Sequence, residues 1–149
     1  MKRKFENKIE IMVIGLGYVG LPLALELAKH YKVFGFDINT KRINELRKGV
    51  DSTNEISKRN QSYLGKIQFT LNYSDCKAAS IFIITVPTPV DKKNEPNLKN
   101  LKDAAKTVAK VIKRGDIVVI ESTVYPGVTE NIIAPIIEKQ AGLQSKKDF

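Results

Sequence analysis

The 149-residue chain reads as an α/β domain, a doubly wound parallel sheet. Three observations carry that reading. Short apolar runs alternate with segments of helical period, the pattern of repeated βαβ units. The runs are near-continuously apolar, as in Ile81-Phe82-Ile83-Ile84, which suits strands covered on both faces. The first run enters a glycine-rich turn and a helical segment follows at once.

The elements follow in order. Glu10–Ile14 is predicted as strand one and Val19–His30 as helix one, with Pro22 in its first turn where a missing N–H is harmless. Val33–Phe36 is strand two, and Asn39–Lys48 is a helix closed by Gly49. A weaker, polar helix is expected over Glu55–Tyr63, then a short strand at Ile67–Thr70. Ala79–Val86 is strand four and a polar loop spans 91–97. Asn97 is placed to cap a helix over 98–113, which Gly115 ends. Strand five is Ile117–Glu121, and Tyr125-Pro126-Gly127 is a turn. The last helix, Thr129–Gln140, is expected to kink at Pro135 and stop at Gly142.

Bulk properties narrow the class. A chain of this length forms one domain, read as 1–149, and buries about 70% of its unfolded surface. No apolar run approaches the ~20 residues of a membrane span. The basic start, Met1 to Lys8, is read as a solvated arm and not a signal peptide. One cysteine, Cys76, excludes an internal disulfide and fits a reducing, cytoplasmic setting. With one Cys and one His, no metal site is expected. A net charge of +9 admits a nucleic-acid surface or a solvated lysine coat. Lys99, Lys102, Lys106, Lys110 and Lys113 line one helical face opposite Leu101, Ala105, Val108 and Ile112, which favours the coat. No nucleic-acid or membrane partner is expected.

Gly15-Leu16-Gly17-Tyr18-Val19-Gly20 is the G-x-G-x-x-G dinucleotide fingerprint between a buried strand and a helix, the setting that gives the motif weight. Gly15 permits the tight turn, Gly17 lets a pyrophosphate approach the backbone, and Gly20 lets the helix pack closely. The N–H groups near Tyr18 and Val19 open the helix and favour an anion. Asp37 ends strand two about twenty residues further on, where a carboxylate accepts both adenosine ribose hydroxyls and repels a 2′-phosphate. Its other reading is a cap for the Asn39 helix. Arg42 is the group that accommodates a 2′-phosphate in other proteins; with Asp37 present it is expected to pack on the adenine side, and NAD is the expected cofactor.

Strands four and five end in Thr85-Val86-Pro87-Thr88-Pro89 and Glu121-Ser122-Thr123-Val124-Tyr125-Pro126-Gly127. Together with Gly15–Ala24 and Gly35-Phe36-Asp37-Ile38-Asn39, these segments resemble the UDP-glucose/GDP-mannose 6-dehydrogenase family, in order and over nearly the whole chain. The first and last resemble most its UDP-N-acetylhexosamine branch, including the Vi-antigen type of polysaccharide enzyme. The resemblance implies oxidation of a sugar C6 alcohol to a carboxylate with two NAD. It implies NAD contacts at Val19, Asp37, Arg42, Pro87, Thr88, Thr123 and Thr129, with Tyr18 and Val19 beside the pyrophosphate and Thr123 assisting nearest the reaction. The nucleophilic cysteine of such enzymes lies in a C-terminal region not matched here, and Cys76 is read as a bystander. His30 is read as a helix-terminal residue.

The chain is expected to hold the NAD-binding part of such an enzyme, to lack the sixth strand, and to be inactive on a UDP-sugar alone. An exposed sheet edge and self-association, as in a homodimer, are expected consequences. The alternative is a stand-alone nucleotide-binding module or split-gene remnant.

Overall fold

The computed structural model describes residues 9–57, 60–90 and 95–149. Five strands, β1 (Glu10–Ile14), β2 (Lys32–Phe36), β3 (Ile67–Thr70), β4 (Ile81–Ile84) and β5 (Ile117–Ile120), form one sheet in the order β3-β2-β1-β4-β5. All four pairings are parallel. The helices are α1 (Gly20–Leu27), α2 (Thr40–Arg47), α3 (Lys99–Ala109) and α4 (Ala134–Ala141).

Alternating strand residues feed two cores. Met12, Ile14, Phe34, Phe36, Phe82 and Ile84 pack with Leu101 and Val108 of α3, Ile137 of α4 and Ile133 just before α4. Ile11, Val13, Val33 and Ile83 face α1 and α2 through Leu21, Leu25, Ile43 and Leu46. Both faces are therefore buried, which explains the unbroken apolar runs.

The register is level at the carboxyl ends. Ile14 pairs with Phe36 and Ile84, Phe36 with Thr70, and Ile84 with Ile120. The residues that leave the sheet next, Asp37, Gly15, Thr85 and Glu121, therefore emerge side by side. The order of connection reverses between β1 and β4, the switch point where open α/β sheets bind ligands.

Four expectations are corrected. Residues 55–57 are not helical; residues 58–59 lie outside those described, and Gln61–Lys66 forms a 3-10 turn. The chain here is organised by Asp51, whose carboxylate accepts the N–H groups of Thr53, Glu55 and Ile56. Most of the expected polar loop, 91–94, lies outside the described residues; beyond it Pro96 bridges Val90. Asn97 does accept the Lys99 N–H at 3.0 Å, but α3 ends at Ala109, short of residue 113. Helix one ends at Leu27, so exposed His30 lies in the turn beyond it. The last helix opens as a π turn over Thr129–Ile133, not as a kinked α-helix. Pro135 offers no N–H to the Asn131 carbonyl, and the wider turn accommodates that gap. Gly142 closes α4 at φ +68°.

Candidate functional site

The glycine turn is held from three sides. Gly15 has φ +94°, and a side chain there would lie 3.1 Å from Val86 Cγ1. A Cβ on Gly20 would overlap the Gly15 carbonyl oxygen and the Thr85 hydroxyl. Thr85 is buried, with its Oγ1 3.0 Å from the Ile14 carbonyl and 2.7 Å from that of Gly15. Gly17 differs: among the described residues no atom lies within 4 Å of where its Cβ would be. Open space above a helix start is what a pyrophosphate needs. Leu21 donates to the Gly17 carbonyl, so the N–H groups before it are the unpaired first-turn donors of α1. Tyr18 and Val19 are exposed beside them.

Asp37 stands just before α2, whose cap is Asn39 itself, its side chain accepting the Arg42 N–H. Asp37 Oδ1 accepts the Asn39 N–H at 2.8 Å, a turn bond before α2, and Oδ2 accepts the Leu16 N–H at 2.8 Å. Each carboxylate oxygen keeps acceptor capacity for a ribose hydroxyl. Arg42 is only 7% exposed. Its Nε donates to the Leu16 carbonyl at 2.8 Å, Nη1 to Asp51 Oδ1 at 2.8 Å and Nη2 to Thr53 Oγ1 at 3.1 Å. Burial alone would raise the Asp51 carboxyl, but hydrogen bonds from Thr53, Arg42 and Glu55 outweigh it and lower the pKa from 3.8 to about 2.

A cavity of about 550 Å³ opens over the switch point, within the roughly 300–1,000 Å³ usual for small-molecule sites. Gly15, Gly17, Asp37, Arg42 and Pro87 line it together. Tyr18, Val19, Thr88, Thr123 and Thr129 lie outside its lining. Thr88 and Thr123 are still joined, since Thr88 Oγ1 donates to the Thr123 carbonyl at 2.7 Å. Ser122 Oγ donates to the Val86 carbonyl at 2.6 Å, so two bonds clip the β4 and β5 loops into one unit. Thr129 is exposed at the start of the π turn.

Several contributors were not named from sequence. Asn100, Asp103 and Thr107 of α3, and Ser52 and Thr53, complete the cavity wall. Asn100 Nδ2 also donates to the Pro87 carbonyl at 3.1 Å. For Thr85 a signal existed, a hydroxyl residue directly after four apolar strand residues at the switch point. Cys76 is fully buried, and burial, then the neighbouring Asp75 charge, pushes its thiol up to about 12. Such a thiol is no nucleophile near neutral pH. Among the described residues no group of three His, Cys, Asp or Glu could hold a metal, and no helix is long and apolar enough to cross a membrane.

Residues 9–149 match the model of the UDP-glucose/GDP-mannose dehydrogenase family, NAD binding domain. The chain belongs to this family. NAD is its cofactor, and Gly17, Asp37 and the cavity fit it. The chain is 48% identical over 141 residues to a UDP-N-acetyl-D-glucosamine 6-dehydrogenase of Pseudomonas aeruginosa, covering 95% of this chain and 33% of that protein. It is 51% identical to protein CapL of Staphylococcus aureus, covering 93% and 32%. The solved UDP-D-ManNAc dehydrogenase of Pyrococcus horikoshii superposes with a TM-score of 0.87 at 40% identity, covering 95% of this chain and 34% of that one. These relatives support the N-acetylhexosamine branch. The chain spans about a third of the length of the relatives it matches.

Proposed function

We propose that this chain is the NAD-binding part of an enzyme that oxidises the C6 alcohol of a UDP-N-acetylhexosamine to the uronic acid, in the cytoplasm, for surface polysaccharide synthesis. The observation that carries the reading is the meeting of open Gly17 and the Asp37 carboxylate in one cavity at the switch point. NAD, when bound, supplies the hydride acceptor. The free N–H groups at the start of α1 hold its pyrophosphate, and Asp37 accepts its adenosine ribose hydroxyls. The clipped loops carrying Thr88 and Thr123 stand on the β5 side of the switch point, suited to the second ribose and the nicotinamide. With Cys76 buried and protonated, the nucleophile belongs to the part of the family that these 149 residues do not match.

Calorimetry with the purified chain tests the cofactor side. NAD should bind at least about tenfold more tightly than NADP; equal or tighter NADP binding overturns the reading. With NAD and UDP-N-acetylglucosamine, the 149-residue chain should form no NADH, whereas a chain extended through the family's sugar domain should. Turnover by the short chain that survives Cys76→Ser would place the chemistry within these residues and refute the division of labour. We further propose self-association through β5, which among the described residues pairs with β4 alone. Light scattering should then give a mass above 16.7 kDa, and a monomer at high concentration counts against it.

A further inference from the structure

The adenosine end of the cavity contains a cation that a different coenzyme would use. Arg42 and Asp37 both line the wall and grip one residue from opposite sides, Asp37 taking the Leu16 N–H and Arg42 donating to the Leu16 carbonyl. A free arginine beside the ribose acid is the group that accommodates a 2′-phosphate. Here the guanidinium is committed elsewhere. Its Nη1 meets Asp51 at 2.8 Å, with both side chains under a tenth exposed.

We propose that Asp51 is a coenzyme-specificity residue: by neutralising and immobilising Arg42, it denies the guanidinium to a 2′-phosphate, so the chain rejects NADP with two carboxylates and not one. The inference rests on the NAD reading of the cavity.

Three features make the guard effective. Asp51 cannot swing aside, because Thr53, Glu55 and Ile56 N–H groups hold it. A phosphate that captured Arg42 would leave the Asp51 carboxylate buried without its cation, an expensive state. The remaining charges give no help. Glu45 lines the same wall, holding the Ser52 hydroxyl at 2.7 Å, with Lys41 3.9 Å away. Asp37, Glu45 and Asp51 against Lys41 and Arg42 leave this end one charge negative.

The test compares the wild-type chain with Asp37→Ser, Asp51→Asn and the double variant, titrated calorimetrically with NAD, NADP and 5′-AMP. Asp37→Ser alone should weaken NAD about tenfold through loss of charge-assisted hydrogen bonds, yet improve NADP less than about threefold, because Arg42 stays paired. Adding Asp51→Asn should improve NADP a further tenfold or more, and Arg42→Gln in that background should erase the gain. A tenfold NADP gain from Asp37→Ser alone overturns the proposal. So does a double variant that binds 5′-AMP but gains nothing toward NADP. Should Asp51→Asn fail to fold, as read by circular dichroism, the Asp37→Ser arm still decides, since it leaves the Arg42–Asp51 pair intact. A wild-type chain that binds neither NAD nor 5′-AMP instead removes the underlying cofactor reading.

Discussion

Gly20→Ala is expected to cost more than ~3 kcal/mol of stability, while Gly17→Ala should change stability by less than ~1 kcal/mol and weaken NAD binding about tenfold or more. The two glycines are three residues apart and both belong to the fingerprint, but their surroundings are opposite. A methyl at Gly20 would strike the Gly15 carbonyl oxygen and lie 2.9 Å from its carbon. That carbonyl cannot retreat. Thr85 Oγ1 sits 2.7 Å from it, and the Gly15 N–H is held by the Phe36 carbonyl at 2.9 Å. Overpacking against side chains typically costs ~1–3 kcal/mol. Here the obstacle is fixed backbone, so the loss should exceed ~3 kcal/mol, a large share of the ~5–15 kcal/mol that holds a domain together. A methyl at Gly17 meets nothing among the described residues, so its stability change should stay within ~1 kcal/mol. It would stand where a pyrophosphate approaches the backbone, and NAD affinity should fall about tenfold or more, ~1.4 kcal/mol or above. Urea titration and calorimetry on both variants check this. Equal destabilisation by the two substitutions would show that the space over Gly17 is needed for folding and not for a ligand.

Arg42→Ala should cost about 3–5 kcal/mol, the usual penalty for removing one partner of a buried ion pair. The Leu16 carbonyl and the Thr53 hydroxyl lose a donor in the same step. The pair also makes the wild-type chain acid-sensitive in a defined window. Asp51 titrates at about 2 in the folded chain against 3.8 for the free group. Its folded value is depressed, so its stabilisation is fully present above about pH 4 and is lost as pH falls toward 2, about 2 kcal/mol in all. Without Arg42 the burial that opposes ionisation is less well countered, so the acid transition of Arg42→Ala should move to higher pH. Denaturation at pH 7 and pH 3 measures both effects. A loss below about 1 kcal/mol at pH 7 would mean that the loop around Asp51 holds its shape without the guanidinium.

The parts of this molecule legible in sequence are those governed by periodicity or by backbone geometry. β1 and β3 fall on their predicted residues because apolar runs flanked by turn residues leave little choice. The fingerprint glycines announce themselves because only glycine satisfies a φ of +94° or a backbone contact at the Cβ position. The residues around Asp51 escaped notice for the converse reason. Residues 51–56 have no period; one carboxylate gathers three N–H groups and a guanidinium from nine positions upstream. A helical reading of 55–63 followed polar residues with no apolar stripe to anchor them. Arg42 shows the same limit. Its type and position pointed to the nucleotide, but its buried partner is set by a loop whose path no local pattern reveals. The π turn before Pro135 was anticipated only as a kink, since a missing donor specifies a disturbance without saying how the chain relieves it.

The level register of the strand ends has a metric consequence. Neighbouring strands stand about 4.8 Å apart, so the carboxyl edge of the sheet is a ruler with evenly spaced marks. Asp37 leaves from β2 and the Ser122–Thr123 loop from β5, three marks away across β1 and β4, or roughly 14 Å. A ligand that reaches from Asp37 to the Ser122–Thr123 loop has to cross all three steps, which is the length the proposed dinucleotide would use.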